Sequence, residues 1–107
     1  MAKAHLAPEA DRDIGDIFNE LLAVEGVTTA ERFVEGLNEA IVSLRAAPSD
    51  KPYPAELLKE GITLFREVRY ESWRVFYCIV DGGIRVVAVL DSRRNAVQQL
   101  PARLARG

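Results

Sequence analysis

Residues 61–94 read GITLFREVRYESWRVFYCIVDGGIRVVAVLDSRR, and the way this stretch alternates decides the fold. Gly61 opens a first extended run: Ile62, Leu64, Arg66, Val68 and Tyr70 point to one face, and Thr63, Phe65, Glu67 and Arg69 to the other. Residues 73–80 are apolar on both faces except at Arg74, the pattern of a central strand. Asp81-Gly82-Gly83 supplies a hairpin turn, and residues 84–90 return as a third strand. By alternation Trp73 and Tyr77 lie opposite Arg74 and join the core. An arginine inside such a strand must either find a carboxylate or face a groove.

Upstream, a short strand at residues 3–7 turns at Pro8-Glu9 into a helix with proline in its first turn. Ile14, Ile17, Phe18, Leu21 and Leu22 form its apolar face, and Gly26 stops it. Thr28-Thr29-Ala30-Glu31 has the form of a capping box, and Phe33, Val34, Leu37, Ile41 and Leu44 carry a second apolar stripe as far as Pro48. Two helices separated by two or three residues must lie antiparallel. Three prolines within residues 48–54 disfavour helix and predict extended backbone, with Leu57-Leu58 tucked beneath. Residues from Asn95 onward suit a short helix weakened by Pro101. The expected architecture is α+β: a β-α-α-β-β-β order, the helical hairpin on one face of a mainly antiparallel sheet, and the other face free to hold a site.

Composition narrows the function. The 107 residues suffice for one hydrophobic core, so a single domain over 1–107 is expected. The longest apolar run, residues 75–80, is far too short to span a membrane, and the first eight residues lack the apolar stretch of a secretory signal. A cytoplasmic protein is expected, in keeping with the lone Cys78, which reads as an inert buried thiol. Neither a metal constellation nor a cofactor-binding motif is present, and His5 reads as incidental. Charge is uneven: residues 1–60 hold six basic and twelve acidic side chains, a balance of −6, whereas residues 61–107 hold eight Arg, no Lys and four acids, a balance of +4. The arginine-rich half suits an anionic partner or bidentate recognition.

The order of elements, with LAPEADRDIGDIF, AERFVEGLNEAIVSLRAAP and FREVRYESWRVFYCIVDGGIRVVAVLDSRRN, resembles the RelE/ParE superfamily of toxins from type II toxin–antitoxin modules, also known as plasmid stabilisation proteins. The resemblance covers nearly the whole chain. Its most specific piece is Trp73-Arg74-Val75-Phe76-Tyr77, followed by an Asp-Gly turn, an apolar strand and the pair Arg93-Arg94. It implies a toxin restrained by a cognate antitoxin in a hetero-oligomer. The RelE-like branch enters the ribosome and cleaves messenger RNA, and the ParE-like branch poisons DNA gyrase. By the same resemblance Arg74 and Arg94 stand at active-site positions of the ribonuclease branch, and Arg66, Arg69 and Arg93 become candidates for contact with target or antitoxin.

Cleaving RNA without a metal requires a base, a cation and an acid, and an arginine with a pKa above about 12 is a poor proton carrier. Residues 78–107 contain no Lys, His, Tyr or Glu, and Leu100 stands roughly where the ribonuclease branch carries an aromatic acid. Glu67 and Phe65 replace its upstream lysines. The leading expectation is therefore a ParE-like toxin that acts by binding a protein such as gyrase. The alternatives are a ribosome-dependent endoribonuclease and a non-toxic binding module on the same fold.

Overall fold

Residues 3–104, which the computed structural model describes, form β1 (Lys3–Leu6), α1 (Pro8–Glu25), α2 (Val27–Ser43), a 3-10 turn (Pro48–Asp50), α3 (Ala55–Lys59), β2 (Arg66–Tyr70), β3 (Trp73–Val80), β4 (Gly83–Asp91) and α4 (Ala96–Leu104). The sheet order is β1-β4-β3-β2, antiparallel except for β1 beside β4. This is the expected α+β arrangement with its short C-terminal helix. The edge taken by β1, which the sequence left open, is the one next to β4.

The helices α1 and α2 lie antiparallel because one residue, Gly26, joins them. Its φ of 99° suits a residue without a Cβ. Its N–H donates to the Leu21 carbonyl at 3.0 Å and its own carbonyl accepts the Ala30 N–H at 3.2 Å, so it closes one helix and opens the next. The expected capping box does not form. The helix has already begun at Val27, which places Thr28 inside the first turn, and no side chain caps it. Together the hairpin buries Ala10, Leu21, Ala30, Phe33, Leu37 and Ile41 against Val75, Tyr77, Ile84, Val86 and Val89.

The opposite face of the sheet is not free, contrary to expectation. Leu57 from α3, Phe65, and Ala96 and Leu100 from α4 pack there on Phe76, Ala88 and Leu90. The strand β4 serves both layers through a bulge: Tyr77 pairs with Val86 but Phe76 with Ala88, which leaves Val87 as the extra residue. Strict alternation from Ile84 would send Ala88 and Leu90 under the helical hairpin. The bulge reverses the parity, so Val89 faces the hairpin while Ala88 and Leu90 face α3 and α4.

Two boundaries also differ. The strand β2 begins at Arg66 rather than Gly61, because the chain before it curls back on α3: the Ile62 N–H donates to the Leu57 carbonyl at 2.9 Å, and Phe65 is buried. The proline-rich segment is extended only in part, since Pro48 starts a 3-10 turn for which its fixed φ is suited. That segment is fastened to the sheet. The Glu67 N–H donates to the Pro52 carbonyl at 3.0 Å, and the Tyr77 hydroxyl donates to the Pro48 carbonyl.

At the other end of β2, the rings of Phe33 and Trp73 meet with centroids 4.7 Å apart and Tyr70 completes the cluster. The Tyr70 ring lies over Gly36, where an added Cβ would fall 2.0 Å from its hydroxyl oxygen and 2.5 Å from Cζ. Alanine at position 36 ordinarily stabilises a helix by about 1 kcal/mol over glycine. Here the clash should reverse the sign. Gly36→Ala is expected to destabilise by about 1–3 kcal/mol in urea denaturation, and the same change in a Tyr70→Ala background is expected to be neutral or stabilising; equal effects in both backgrounds would refute the steric reading.

Candidate functional site

The sheet face beneath α3 and α4 carries Arg74, the arginine that the sequence singled out inside a central strand. Arg74 enters this face from β3, with its cross-strand partner Arg69 and the diagonal Glu67 coming from β2. Arg74 is only 5% exposed and Glu67 only 9%. Burying a guanidinium at that depth requires partners for all of its N–H groups.

They are all present. Nε donates to Glu67 Oε2 at 2.6 Å and Nη2 to Glu67 Oε1 at 2.9 Å, a bidentate fork. A second fork reaches α3, with Nη2 to Glu56 Oε1 and Nη1 to Glu56 Oε2, both at 2.7 Å. The remaining Nη1 proton goes to the Arg94 carbonyl at 2.9 Å. Glu56 Oε2 also accepts the Ala96 N–H at 3.0 Å and thereby caps α4 from a distance. The Arg74 guanidinium, through its hydrogen bonds above all, holds the Glu56 carboxyl down to about 2, while the two carboxylates push the pKa of Arg74 upward. The Phe76 ring flanks the guanidinium at 4.8 Å.

The five candidate arginines do not converge. Arg74 faces inward. Arg69 shares its face and stays largely exposed, 3.8 Å from Glu67. Arg66 points to the hairpin side, where it stacks on Tyr53 at 4.3 Å and donates to the Lys51 carbonyl at 2.6 Å, fixing the proline-rich loop. Arg93 is exposed and forks onto Asp91 at 3.0 and 3.1 Å. The Arg94 side chain is exposed, and only its backbone joins the buried cluster. Leu100 is fully buried on the inner face of α4. Trp73 and Tyr77 face away from Arg74, as alternation predicts.

Chemically, the cluster is a saturated ion triad: one cation between two carboxylates, shielded by apolar side chains. A phosphate could approach Arg74 only by displacing a carboxylate. The Tyr70 hydroxyl, on the other face of the sheet, donates to the Arg32 carbonyl at 3.3 Å, and burial raises its pKa. Burial likewise raises the Cys78 thiol. The residue that sequence reasoning missed is Glu56. Its signal was faint: Pro54-Ala55-Glu56 has the make-up of a helix start, and a buried Arg with one carboxylate nearby lacks enough acceptors.

Two outcomes follow from this geometry. Arg74→Ala strands two carboxylates and should destabilise the fold by about 3–5 kcal/mol, whereas replacing the triad with Met at 74 and Gln at 56 and 67 should recover most of that loss. A loss below about 1 kcal/mol for Arg74→Ala in urea denaturation would refute the buried triad. Because the carboxyl of Glu56 is depressed from 4.5 to about 2, its contribution is complete above pH 4.5 and disappears as pH falls toward 2. Thermal midpoints measured across that window should therefore fall less steeply in Glu56→Gln than in the unaltered chain.

Comparison with known proteins agrees with this architecture. A solved structure described as the chromosomal ParDE TA system from P. aeruginosa superposes with a TM-score of 0.70 at 14% identity, over 85% of this chain and 96% of that one, which establishes the fold. No curated protein matches the chain significantly. The family model for the ParE toxin of the type II toxin–antitoxin system parDE matches residues 4–96, from the first strand to the beginning of the last helix. The chain therefore belongs to the ParE toxin family of type II toxin–antitoxin systems.

Proposed function

We propose that this chain is a toxin held inactive by a cognate antitoxin, and that it stops growth by binding a protein target of the DNA gyrase kind rather than by cutting RNA. The saturation of Arg74 carries the reading. At the position where the ribonuclease branch carries an active-site arginine, every guanidinium N–H is engaged inside the protein. Membership of the ParE family supports the same branch. The buried Leu100 provides no proton carrier, and the surface arginines Arg69 and Arg94 suit recognition of carboxylates on a protein, whereas Arg93 is already forked onto Asp91.

Substitutions at Arg74 are a poor test of this reading, because they disturb folding first. The surface arginines are better. Expression of the chain alone is expected to arrest bacterial growth, and co-expression of the product of the adjacent reading frame to restore it. The purified chain is expected to inhibit gyrase supercoiling, with Arg69→Gln combined with Arg94→Glu weakening inhibition at least about tenfold and leaving the thermal midpoint nearly unchanged. Primer extension on messenger RNA during induction should show no codon-phased ends. Reproducible cuts in the ribosomal A site would install the ribonuclease reading instead.

A further inference from the structure

A groove of about 700 Å³ runs between α1 and the C-terminal part of β4, reaching Arg94 at the border of the Arg74 cluster. It lies where the sheet loses its cover: β1 pairs only as far as Val86, while β4 continues to Asp91. One wall is a single stripe of α1, residues 13, 16, 17, 20, 21 and 24, at helical spacing. That stripe carries three carboxylates, Asp13, Asp16 and Glu20, and three aliphatic groups, Ile17, Leu21 and Val24. The Asp13 carboxylate accepts the Val89 N–H at 2.9 Å and so closes part of the open strand edge. Asp16, Glu20 and Glu25 are exposed on the rim, with Ile17, Leu21, Trp73 and Val89 beneath them. Val24, 76% exposed, extends the apolar strip outward.

Across the groove stand Asp91, Arg93 and Arg94. Arg93 is already committed to Asp91, which it holds down to about 2, and Arg94 is the remaining cation on the lining. Three rim carboxylates thus face one such arginine, so a basic segment is attracted and an acidic one repelled. Asp16 and Glu20 are four residues apart, the separation at which basic side chains recur on a facing helix.

We propose that this groove receives a helical segment of the antitoxin in which lysines or arginines one turn apart flank a bulky apolar side chain. The apolar group sits on Ile17, Leu21 and Trp73, and the basic groups meet Asp16 and Glu20. The proposal rests on the reading of the chain as a toxin bound by an antitoxin, and adds the place and the charge of that contact. It runs against the simplest inference from composition, in which the arginine-rich half receives an acidic partner.

The test measures the affinity of the purified chain for the product of the adjacent reading frame, with the double variant Asp16→Lys/Glu20→Lys beside the unaltered chain. Both positions are solvent-exposed, so circular dichroism and thermal midpoints should match. A control, Glu35→Lys on the exposed part of α2, alters charge away from the groove. The expected result is a loss on the order of 30-fold or more for the double variant, with little change for the control and a weaker dependence of affinity on salt. Binding by the double variant within about threefold of the unaltered chain, or an equal loss in the control, overturns the groove while the antitoxin reading stands. Failure of the unaltered chain to bind that product at all overturns the antitoxin reading, and the groove proposal with it.

Discussion

A guanidinium clamped between two carboxylates ties together the parts of this molecule that the chain alone leaves loose. Arg74 holds Glu67 across the β2–β3 ladder, Glu56 from a five-residue helix, and the Arg94 carbonyl just before α4. The helix α3 is too short to be stable by itself, and α4 tolerates a proline at position 101. Docking of both depends on the triad and on the apolar layer around it, Leu57, Phe76, Leu90, Ala96 and Leu100. A buried ion pair adds little net stability over a well-packed apolar replacement, but its bond geometry permits only one arrangement of the groups that meet there. The positions of α3 and α4 on the sheet are specified in that sense.

The second organising constraint is the bulge at Val87. It lets one strand supply Ile84, Val86 and Val89 to the helical hairpin and Ala88 and Leu90 to the layer under α4. A sheet covered on both faces is the result. The arginine that looked available for a surface site therefore lies inside the protein, and the exposed charge sits at the periphery: Arg69, Arg93 and Arg94, and the acid-rimmed groove along α1. That distribution places positive charge near the β2–β3 edge and the end of β4, and negative charge along the first helix. The acidic stripe of α1 and the cationic end of β4 face each other across one groove.

The sequence by itself determined the main elements and, before the bulge at Val87, their faces. Alternation in residues 66–91 and helical periodicity in residues 8–44 are local properties, so the three strands, the hairpin turn at Asp81-Gly82, the antiparallel helices and the placement of Trp73 and Tyr77 opposite Arg74 were legible without coordinates. The family resemblance was legible for the same reason, since it follows the order of those elements. Tertiary structure alone decided which partners meet: that Glu56, eighteen residues before Arg74, completes its coordination, that β1 lies beside β4, and that α3 and α4 cover the face expected to be open. It also decided the one-residue link at Gly26, the rejected cap at Thr28 and the parity change at Val87. Periodicity shows which way a side chain points relative to its own neighbours. Which distant carboxylate satisfies a buried cation, and where a strand must slip by one residue to fill two cores, depend on packing between segments far apart in the chain, and no local pattern carries that information.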